Sequence, residues 1–500
     1  MKLNYKRTIL VGFAFFLISA FWQAYDAIVP LILTNHYGLP QTVSGIVMSI
    51  DNVLAVFMLP IFGALSDRIS TKYGKRTPFI VLGTIAAVIA FISLVLVDAY
   101  QLKSVLDTTI AERYAAADEL LKSAKEALKT AGKAGNEAAV EAARMLMDSA
   151  EDMMEQIRVE TLEITLSNIW PLVAFIGVLL ITLMSMATFR SPAVALMPDV
   201  TVKPLRSKGN AIINLMGTAG GVLVLVLGMI FDTSGNKYMS YTWYVVAVTA
   251  IMLTGLCVFI STVKERKWAS EMQEDTVRLG LDKQDASVEE SGEKRSLSKA
   301  EFRSLMLILA SVALWYIGYN SITSKYSVYA MNVLYFDFNF TLIVAQAAAI
   351  VSYIPVGIVA SKIGRRKTIL AGIVMLASAF LLGNFINFST PEFVMYPIFV
   401  LAGMGWATIN VNSFPMVVEL AKGGEVGKYT GYYYTASMAA QIVAPILSGF
   451  LYDIFGMRVM FFSFGTLFVT LSFVTMFFVK HGDSTPEAQG ALESLAGADD

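Results

Sequence analysis

Two carboxylates stand inside long apolar segments of this chain. Asp26 lies within the apolar segment 8–34, and Asp51 lies within the next such segment, 42–66. A charge inside so long an apolar segment is costly, so it usually faces a cavity and serves a function. Counted along helices, the two acids lie at similar depth. They are therefore suited to reversible protonation or to binding a small cation, unless each is simply satisfied by Asn52 or a tyrosine.

Two basic residues accompany these acids. Lys325, within the segment 303–331, could neutralise Asp26 or Asp51, or could extend its amine to the surface. Arg190, in another apolar segment, could bind hydroxyl or anionic groups of a ligand, or could pair with charges at the end of its segment. We take Asp26, Asp51 and Lys325 as the candidate cation-coupling residues.

Aromatic rings and amide side chains recur at comparable depth in other apolar segments. Rings offer flat apolar faces and amides offer donors and acceptors, which together suit a polar, ring-shaped ligand. The same residues could instead serve packing alone. The candidate ligand-binding residues are Trp22, Tyr25, Arg190, Asn214, Tyr319, Asn320, Gln346, Trp406, Asn410, Tyr433 and Gln441. The pattern indicates no catalytic residue, no cofactor and no metal site.

The elements that position these residues are predicted to be membrane-spanning helices. Of 500 residues, 56% are hydrophobic and 15% are charged. Apolar runs of about 20 residues match the thickness of a bilayer core, and so many of them would not fit around one soluble core. The net charge of −1 gives no reason to expect a nucleic-acid partner. The twelve predicted spans are 8–34, 42–66, 78–98, 167–196, 208–231, 240–262, 303–331, 338–361, 367–388, 393–419, 428–452 and 456–480.

The distribution of positive charge predicts the orientation. Linkers after even-numbered spans hold clusters of Lys and Arg, as in 68–76 and 362–367, whereas short linkers after odd-numbered spans hold few, with Lys237 and Arg458 as exceptions. The positive-inside rule then places both termini in the cytoplasm, in a multi-pass protein of the cytoplasmic membrane. An even number of spans also requires that the two termini lie on the same side of the membrane.

A short motif recurs after corresponding spans. Residues 63–76 read GALSDRISTKYGKR, and residues 357–366 read GIVASKIGRR. The spacing that separates Gly63 from Gly357 also separates Tyr25 from Tyr319. These matches indicate an internal duplication, with two pseudo-symmetric bundles of six helices.

The first repeat carries an insertion at 100–165, between spans three and four. Its apolar residues recur at helical spacing in two runs, which Gly132 and Gly135 separate. This predicts an antiparallel helical hairpin on the extracellular side, which could be a spacer or staple, or could gate a substrate or bind a partner. The predicted domains are the N-terminal bundle 1–263 with the insertion 100–165, a cytoplasmic linker 264–302, the C-terminal bundle 303–481, and a disordered cytoplasmic tail 482–500.

Two six-span halves with the pattern G-x-x-x-D-R followed by G-[KR]-R resemble the major facilitator superfamily. The motifs S-D-R at 66–68, G-K-R-T-P-F-I at 74–80 and S-P-A-V-A-L-M-P-D at 191–199 are similar to those of sucrose-type carriers, within the glycoside–pentoside–hexuronide cation symporters. Residues 168–198 contain no Asp or Glu, whereas melibiose-type relatives carry an acid there. The likeness therefore does not extend to a sodium site of that type.

The resemblance implies a monomeric carrier, not an enzyme, that moves a sugar or glycoside together with protons, or with sodium, by alternating access. It also implies a cytoplasmic gate of ion pairs that latch the halves together, although these charges could serve orientation alone. The implied gate residues are Gly63, Asp67, Arg68, Gly74, Arg76, Asp199, Gly357, Arg365, Arg366 and Glu419. Two alternatives are an exporter of amphipathic drug-like or lipid-like solutes, and a non-transporting sensor whose hairpin binds an extracellular partner.

Overall fold

A computed structural model describes residues 3–134, 136–202, 205–278, 298–388, 390–420 and 426–481. In these ranges the regular elements are helices, apart from an isolated backbone bridge between Thr71 and Gly74. The predicted all-helical membrane architecture is confirmed. Residues 279–297 of the predicted linker 264–302, and all of the predicted tail 482–500, lie outside the described residues.

The helices follow one another along the chain in two sets. Those of the first half are α1 (Tyr5–Leu31), which continues as a π-helical turn (Ile32–His36), α2 (Gln41–Arg68), α3 (Thr77–Leu106), α4 (Ile110–Ala134), α5 (Glu137–Ser167), α6 (Trp170–Val200), α7 (Arg206–Ile230), α8 (Thr242–Thr262) and α9 (Glu265–Arg278). Those of the second half are α10 (Lys299–Thr323), the short turns Tyr326–Tyr329 and Ala330–Leu334, α11 (Phe338–Ile363), α12 (Arg365–Gly383), α13 (Met395–Val418), α14 (Val426–Phe455) and α15 (Met457–Phe477).

Eleven of the described helices are long and apolar enough to cross a membrane. They correspond to every predicted span except the eighth, 338–361. That span corresponds to α11, which has 26 residues and an apolar part at Phe338–Tyr353. At 1.5 Å per residue α11 is about 39 Å long, which exceeds a bilayer core of about 30 Å.

The end of α3 differs from the prediction. The predicted span stops at the polar residue Asp98, but α3 continues to Leu106. Asp98 is buried, and its Oδ1 lies 2.7 Å from His36 Nδ1. Because this partner satisfies the carboxylate, the helix can extend past it. The inserted helices consequently begin at Ile110 rather than at 100.

The two halves meet along two pairs of helices, α2 with α14 and α7 with α11. A Cβ atom at Gly45 would lie 2.1 Å from the carbonyl oxygen of Pro445, and one at Gly449 would lie 2.4 Å from that of Gln41. Glycine at these positions therefore lets α2 and α14 approach more closely than any larger side chain would allow.

The inserted helices α4 and α5 pack against each other and also reach the second half. Their shared core comprises Leu121, Ala124, Leu128, Ala143, Met147 and Ala150. Tyr335 and Phe388, both from the second half, pack against this core. We call the end of the molecule that carries α4 and α5 the hairpin end, and the end that carries residues 63–76 the motif end.

Candidate functional site

The two acids singled out in the sequence lie near each other between the halves. Asp26 on α1 is exposed. The carboxylate of Asp51 on α2 is close enough to interact with it electrostatically. Asn52 Nδ2 donates to Asp51 Oδ1 at 2.8 Å. Tyr319, on α10 of the second half, is also within electrostatic range of Asp26. An exposed carboxylate at mid-span, with neighbours from both halves, indicates an open polar space between them.

Arg190 connects this pair of acids to an aromatic wall of the first half. Its guanidinium carbon lies 5.6 Å from the centre of the Trp22 ring, and its charge is within electrostatic range of Asp51. Trp22 meets Tyr25 edge to face, with ring centres 5.4 Å apart. Cation–π attraction and the nearby carboxylate both favour this position of the guanidinium. The side chain of Arg190 therefore points to the centre of the molecule.

The second half contributes a stacked aromatic pair to the same region. The rings of Tyr319 and Trp406 are parallel, with centres 3.7 Å apart. Tyr316 meets Trp406 edge to face at 5.4 Å. Gln346 Nε2 donates to Gln23 Oε1 at 2.6 Å, which is a hydrogen bond between the halves. The central region thus combines two acids, one guanidinium, flat aromatic faces and amides.

The other candidate ligand-binding residues lie in helix interiors. Hydrogen bonds within the second half engage three of them: Asn320 Nδ2 to the carbonyl of Tyr316 at 2.8 Å, Gln441 Nε2 to the carbonyl of Ser437 at 3.4 Å, and Tyr433 Oη with Ser413 Oγ at 2.9 Å. Asn410 and Asn214 are buried. Neither side-chain atom of Asn214 has a hydrogen-bond partner within the part of the chain that the structure describes.

Lys325 lies toward the hairpin end, just beyond the last residue of α10. Its side chain is fully buried, and its Nζ donates to Ser44 Oγ at 2.6 Å. The charged neighbour that acts on it is Asp453. The Asp453 carboxylate in turn accepts from the backbone N–H of Gln41 and of Thr42, both at 2.7 Å. Asp453, on α14, thus caps the N-terminus of α2 in the other half.

The predicted gate residues Asp67, Arg76 and Asp199 of the first half form a cluster around the Arg76 guanidinium at the motif end. The Arg76 guanidinium donates to Asp199 Oδ2 at 2.7 Å, to Asp67 Oδ1 at 2.5 Å and to Ser66 Oγ at 2.5 Å. Burial disfavours the charged form of Arg76, but its bonds to Asp199 and Asp67 raise its pKa above the usual value. Arg68 is exposed. A Cβ atom at Gly63 would lie 2.9 Å from Ser191 Oγ.

Glu265 supports this cluster, and the sequence analysis did not identify it. It is 3% exposed. Its carboxylate accepts from the backbone N–H of Lys75, Arg76 and Thr77 at 2.6, 2.9 and 2.7 Å. A negative charge at these N–H groups is favourable because they begin α3. Gly74 has φ of 125°, and a Cβ atom there would lie 2.2 Å from Glu265 Cδ, so this turn requires glycine.

The residues of the second half that the sequence predicts to form the gate interact differently. Arg365 pairs with Glu419. Arg366 donates to the carbonyl oxygens of Met476 and Phe477, and Gly357 is buried in α11. Each ion pair named here joins residues of one half, whereas the prediction is a latch between the halves. A latch of ion pairs between the halves therefore stays a prediction, and it applies to a conformation other than the one described here.

A second group that the sequence analysis missed lies near the hairpin end. His36 and Asp98 form the buried pair described above, and the His36 ring stacks with Tyr241 at 5.6 Å between centres. Two polar residues at the same end of neighbouring spans are the signal that could have revealed the pair. For Glu265 no local signal exists, because its partners lie almost 200 residues earlier in the chain.

Two helical halves around a polar centre define this protein as a membrane transporter. The family described as "MFS/sugar transport protein" matches residues 10–105 and 161–387, more than half of the chain, and the family described as "Major Facilitator Superfamily" matches residues 336–496. The chain belongs to the major facilitator superfamily. The interval between the first two matched ranges contains most of the hairpin.

Similarity to individual proteins is low in sequence and extensive in fold. The chain is 28% identical over 114 residues to the MFS-type transporter ppzB of Metarhizium rileyi (strain RCEF 4871), and this match spans 23% of each protein. It is similar to the inward-open xylose transporter XylE of E. coli, with a TM-score of 0.63, 12% identity and coverage of 98% and 99% of the two chains.

Two further solved structures share the fold. One is a POT family transporter in complex with 5-aminolevulinic acid, with a TM-score of 0.60, 10% identity and coverage of 94% and 95%. The other is a D-xylose-proton symporter, with a TM-score of 0.56, 14% identity and coverage of 96% and 99%. At these identities the likeness establishes the fold alone.

Proposed function

We propose that this chain is a secondary transporter that moves a sugar or glycoside together with protons by alternating access. The observation that carries the proposal is the central group: Asp26, Asp51 and Arg190 of the first half face the stacked rings of Tyr319 and Trp406 of the second. A solute bound there touches both halves, as alternating access around one site requires. The sucrose-type motifs and the sugar-transport family support the substrate class.

Aromatic faces and amides suit the two surfaces of a sugar. The stacked pair Tyr319–Trp406 of the second half, and Trp22 of the first half, offer apolar faces for the C–H side of a ring. Gln23 and Gln346 offer amide groups, and Arg190 offers donors, for the hydroxyl groups. We propose these side chains as the sugar site. Asn320, Asn410, Tyr433, Gln441 and Asn214 would support or extend it.

Asp26 and Asp51 are the proposed coupling acids. Their charges repel one another across a short distance, so the uptake of a proton or another cation relieves that repulsion. Protons are favoured over sodium because residues 168–198 supply no further carboxylate. In this proposal Lys325 acts at the hairpin end, where it donates to Ser44 of the other half.

The proposed orientation places the motif end in the cytoplasm and the hairpin end outside the cell. Lys and Arg concentrate at the motif end, on residues 68–76 and 362–367, which agrees with the positive-inside rule. Both termini would then be cytoplasmic. Asp67, Arg76 and Asp199, with Arg365 and Glu419, would form the cytoplasmic gate.

Uptake of radiolabelled sugars into proteoliposomes tests the function. We expect accumulation that requires an imposed proton gradient, and counterflow of the same sugar without one. Absence of both across pentoses, hexoses and disaccharides, with a folded protein, would contradict the proposal. Exchange of amphipathic cations in the same vesicles would instead support the exporter alternative.

Asp26→Asn tests the coupling. We expect gradient-driven accumulation to be abolished while counterflow is retained, because the amide cannot carry the proton but preserves the shape of the site. The matched control is Glu274→Gln, which neutralises an exposed acid on α9 and should change neither assay. Full accumulation by Asp26→Asn would remove Asp26 from the mechanism.

A further inference from the structure

A cavity of about 450 Å³ lies at the hairpin end, apart from the central acids. Both halves and the hairpin form its walls. The first half contributes the end of α1, the start of α2 and residues 237–238, the hairpin contributes α5, and the second half contributes the segment after α10 and the junction of α14 with α15. Among its lining residues are Asn35, Gln41, Glu151, Asn332, Tyr335 and Arg458. Its volume is in the range of sites for small molecules.

Three residues that line this cavity carry a buried amide atom without a partner among the described residues. Asn332 Nδ2 donates to Asn35 Oδ1 at 2.9 Å, and Gln41 Nε2 donates to Thr34 Oγ1 at 3.4 Å. The remaining atoms, Asn35 Nδ2, Asn332 Oδ1 and Gln41 Oε1, have no hydrogen-bond partner among the residues that the structure describes. Unpartnered buried polar atoms are costly, so each calls for an explanation.

The charges around the cavity are largely matched within the protein. Arg458 pairs with Glu151 at 3.0 Å, and Arg158 pairs with Glu155 at 2.5 Å. Asp453 caps α2, as described above, and Asp152 and Lys237 also line the cavity. The lining is close to neutral and favours neither an anion nor a cation, since it holds four acids, Glu151, Asp152, Glu155 and Asp453, and three bases, Arg158, Lys237 and Arg458.

The unpartnered atoms indicate which hydrogen-bonding groups a ligand would need in order to satisfy them. Asn332 Oδ1 and Gln41 Oε1 need donors, whereas Asn35 Nδ2 needs an acceptor. A hydroxyl group both donates and accepts, whereas a carboxylate only accepts and an ammonium group only donates. The terminal torsion of an amide side chain is broad, and in the proposed site rotation about it would turn these atoms toward the bound molecule. The ring of Tyr335 is part of the same wall and is held there by Lys125 and Lys237, whose Nζ atoms lie 4.1 and 5.2 Å from its centre.

We propose that this cavity is a second binding site, which takes a neutral polyhydroxylated molecule at the hairpin end before it reaches the centre. The choice of a sugar as that molecule rests on the proposed function. The hairpin then has a role in the site, since α5 closes one side of the cavity. An outer site of this kind concentrates the solute next to the path between the halves.

A cysteine reporter tests the proposal. The chain has one cysteine, Cys257, so Cys257→Ser supplies a background without thiols. Val333→Cys places a reporter in the cavity wall without removing a polar group. We expect sucrose or D-xylose at tens of millimolar to slow the reaction of this thiol with a maleimide several-fold in purified protein. Ser123→Cys, exposed on α4 away from the cavity, is the matched control and should react equally fast with and without sugar.

Two further variants distinguish the outer site from the centre. Asn332→Leu, added to the reporter, should weaken protection about tenfold, because it removes one hydrogen bond and leaves Asn35 Oδ1 unpaired. Trp406→Ala, which removes the central stacked pair, should leave protection intact. The reverse pattern would show that protection reflects central binding and would overturn the proposal. Protection by glycine betaine but not by sugars would overturn the ligand class.

The protection assay can fail or succeed independently of the uptake and counterflow assays that test the proposed function. Absence of protection by any sugar means that the cavity holds water only, which overturns this inference even where uptake succeeds. Protection without uptake or counterflow of the same sugars overturns the proposed function and supports the outer site. Failure of both assays rejects both.

Discussion

The hairpin end and the motif end of this transporter are held together in different ways. At the hairpin end the bonds cross between the halves: Asp453 caps α2, Lys325 donates to Ser44, and Arg458 of α15 pairs with Glu151 of α5. At the motif end the ion pairs described above stay within a half. Because the named bonds between the halves lie at the hairpin end, the structure represents a conformation that is closed at that end.

This difference has a mechanical consequence. Bonds between the halves must break each time the hairpin end opens. Asp453 and the Arg458–Glu151 pair are partly solvated, which keeps their bonds modest, whereas the bond of Lys325 to Ser44 is buried. Bonds within a half can persist through the cycle, and they keep the half rigid as it moves. We therefore expect changes at the motif end to alter the stability of the fold, and changes at the hairpin end to alter the balance of conformations.

The largest expected effect follows Glu265→Ala at the motif end. The variant loses an acceptor that binds three backbone N–H groups at the start of α3. The free energy of unfolding should fall by about 3 kcal/mol, since bonds to charged groups are worth more than neutral ones. Thermal and denaturant unfolding in detergent would measure it. Labelling of the Val333→Cys reporter should stay as in the parent.

The control for this variant is Glu274→Ala, an exposed acid on the same helix, which should leave stability unchanged. Equal losses of stability in the two variants would show that the loss comes from a general disturbance of α9. It would then not come from removing the hydrogen bonds that Glu265 accepts at the start of α3.

Arg76→Gln should have the next largest effect. Arg76 bridges Asp67 and Asp199, which are 63% and 36% exposed, so solvent can replace part of what is lost. We expect about 2 kcal/mol less stability. The exposed Arg68→Gln is its matched control. Faster labelling at Val333→Cys in Arg76→Gln would contradict the assignment of this cluster to one half.

Asp453→Asn should shift the conformational balance with little change in stability. The amide keeps one acceptor but loses the charge that caps α2 across the halves. If the variant stabilises the closed conformation by about 1.4 kcal/mol less than the parent does, the population that is open at the hairpin end rises about tenfold. The rate of maleimide reaction at Val333→Cys should rise accordingly.

Asp232→Asn is the matched control, since the aromatic–Asp pair Phe231–Asp232 is repeated as Tyr452–Asp453 in the second half and Asp232 is exposed. A reaction rate unchanged by Asp453→Asn would remove the cap from the set of contacts that close the hairpin end.

The smallest effect concerns the pH dependence of stability at the hairpin end. Burial lowers the pKa of Lys237 to about 8, and the charge of Lys125 acts in the same direction, against the opposing effects of Glu151 and Asp118. Between pH 8 and the ordinary pKa, 10.5, the unfolded chain therefore binds more protons, and stability rises with pH. Lys237→Met should be more stable than the parent by about 1 kcal/mol at pH 7.

That difference should shrink as the pH approaches 10, because neutral Lys237 no longer carries the cost of a buried charge. Melting temperatures of both proteins across this range would measure it, with the exposed Lys122→Met as control. A difference that does not change with pH would show that Lys237 acts through packing rather than charge.

Much of the fold could be predicted from local patterns in the sequence. The runs that predict spans one to seven and nine to twelve became helices because a span must satisfy its own backbone hydrogen bonds in lipid. The hairpin was visible from apolar residues at helical spacing, such as Leu121 and Met147. The end of α3 was misplaced because Asp98 has a distant partner, His36.

The site was partly visible in the sequence. Asp26, Asp51 and Arg190 could be chosen because a charge within a span is rare. Their placement together could not, and neither could the stacking of Tyr319 on Trp406, since each contact joins different helices. Lys325 was placed on a span, whereas it lies beyond the end of α10 against Ser44.

The sequence by itself determined the spans, the repeat, the insertion and the charged residues within the apolar segments, because hydropathy and spacing are properties of consecutive residues. Only the tertiary structure decided which residues become partners. Glu265 caps α3 from another helix, Asp453 caps α2 from the other half, and three amide atoms are left without partners in an outer cavity. Such choices depend on how helices pack, and no local pattern records the packing between residues hundreds of positions apart.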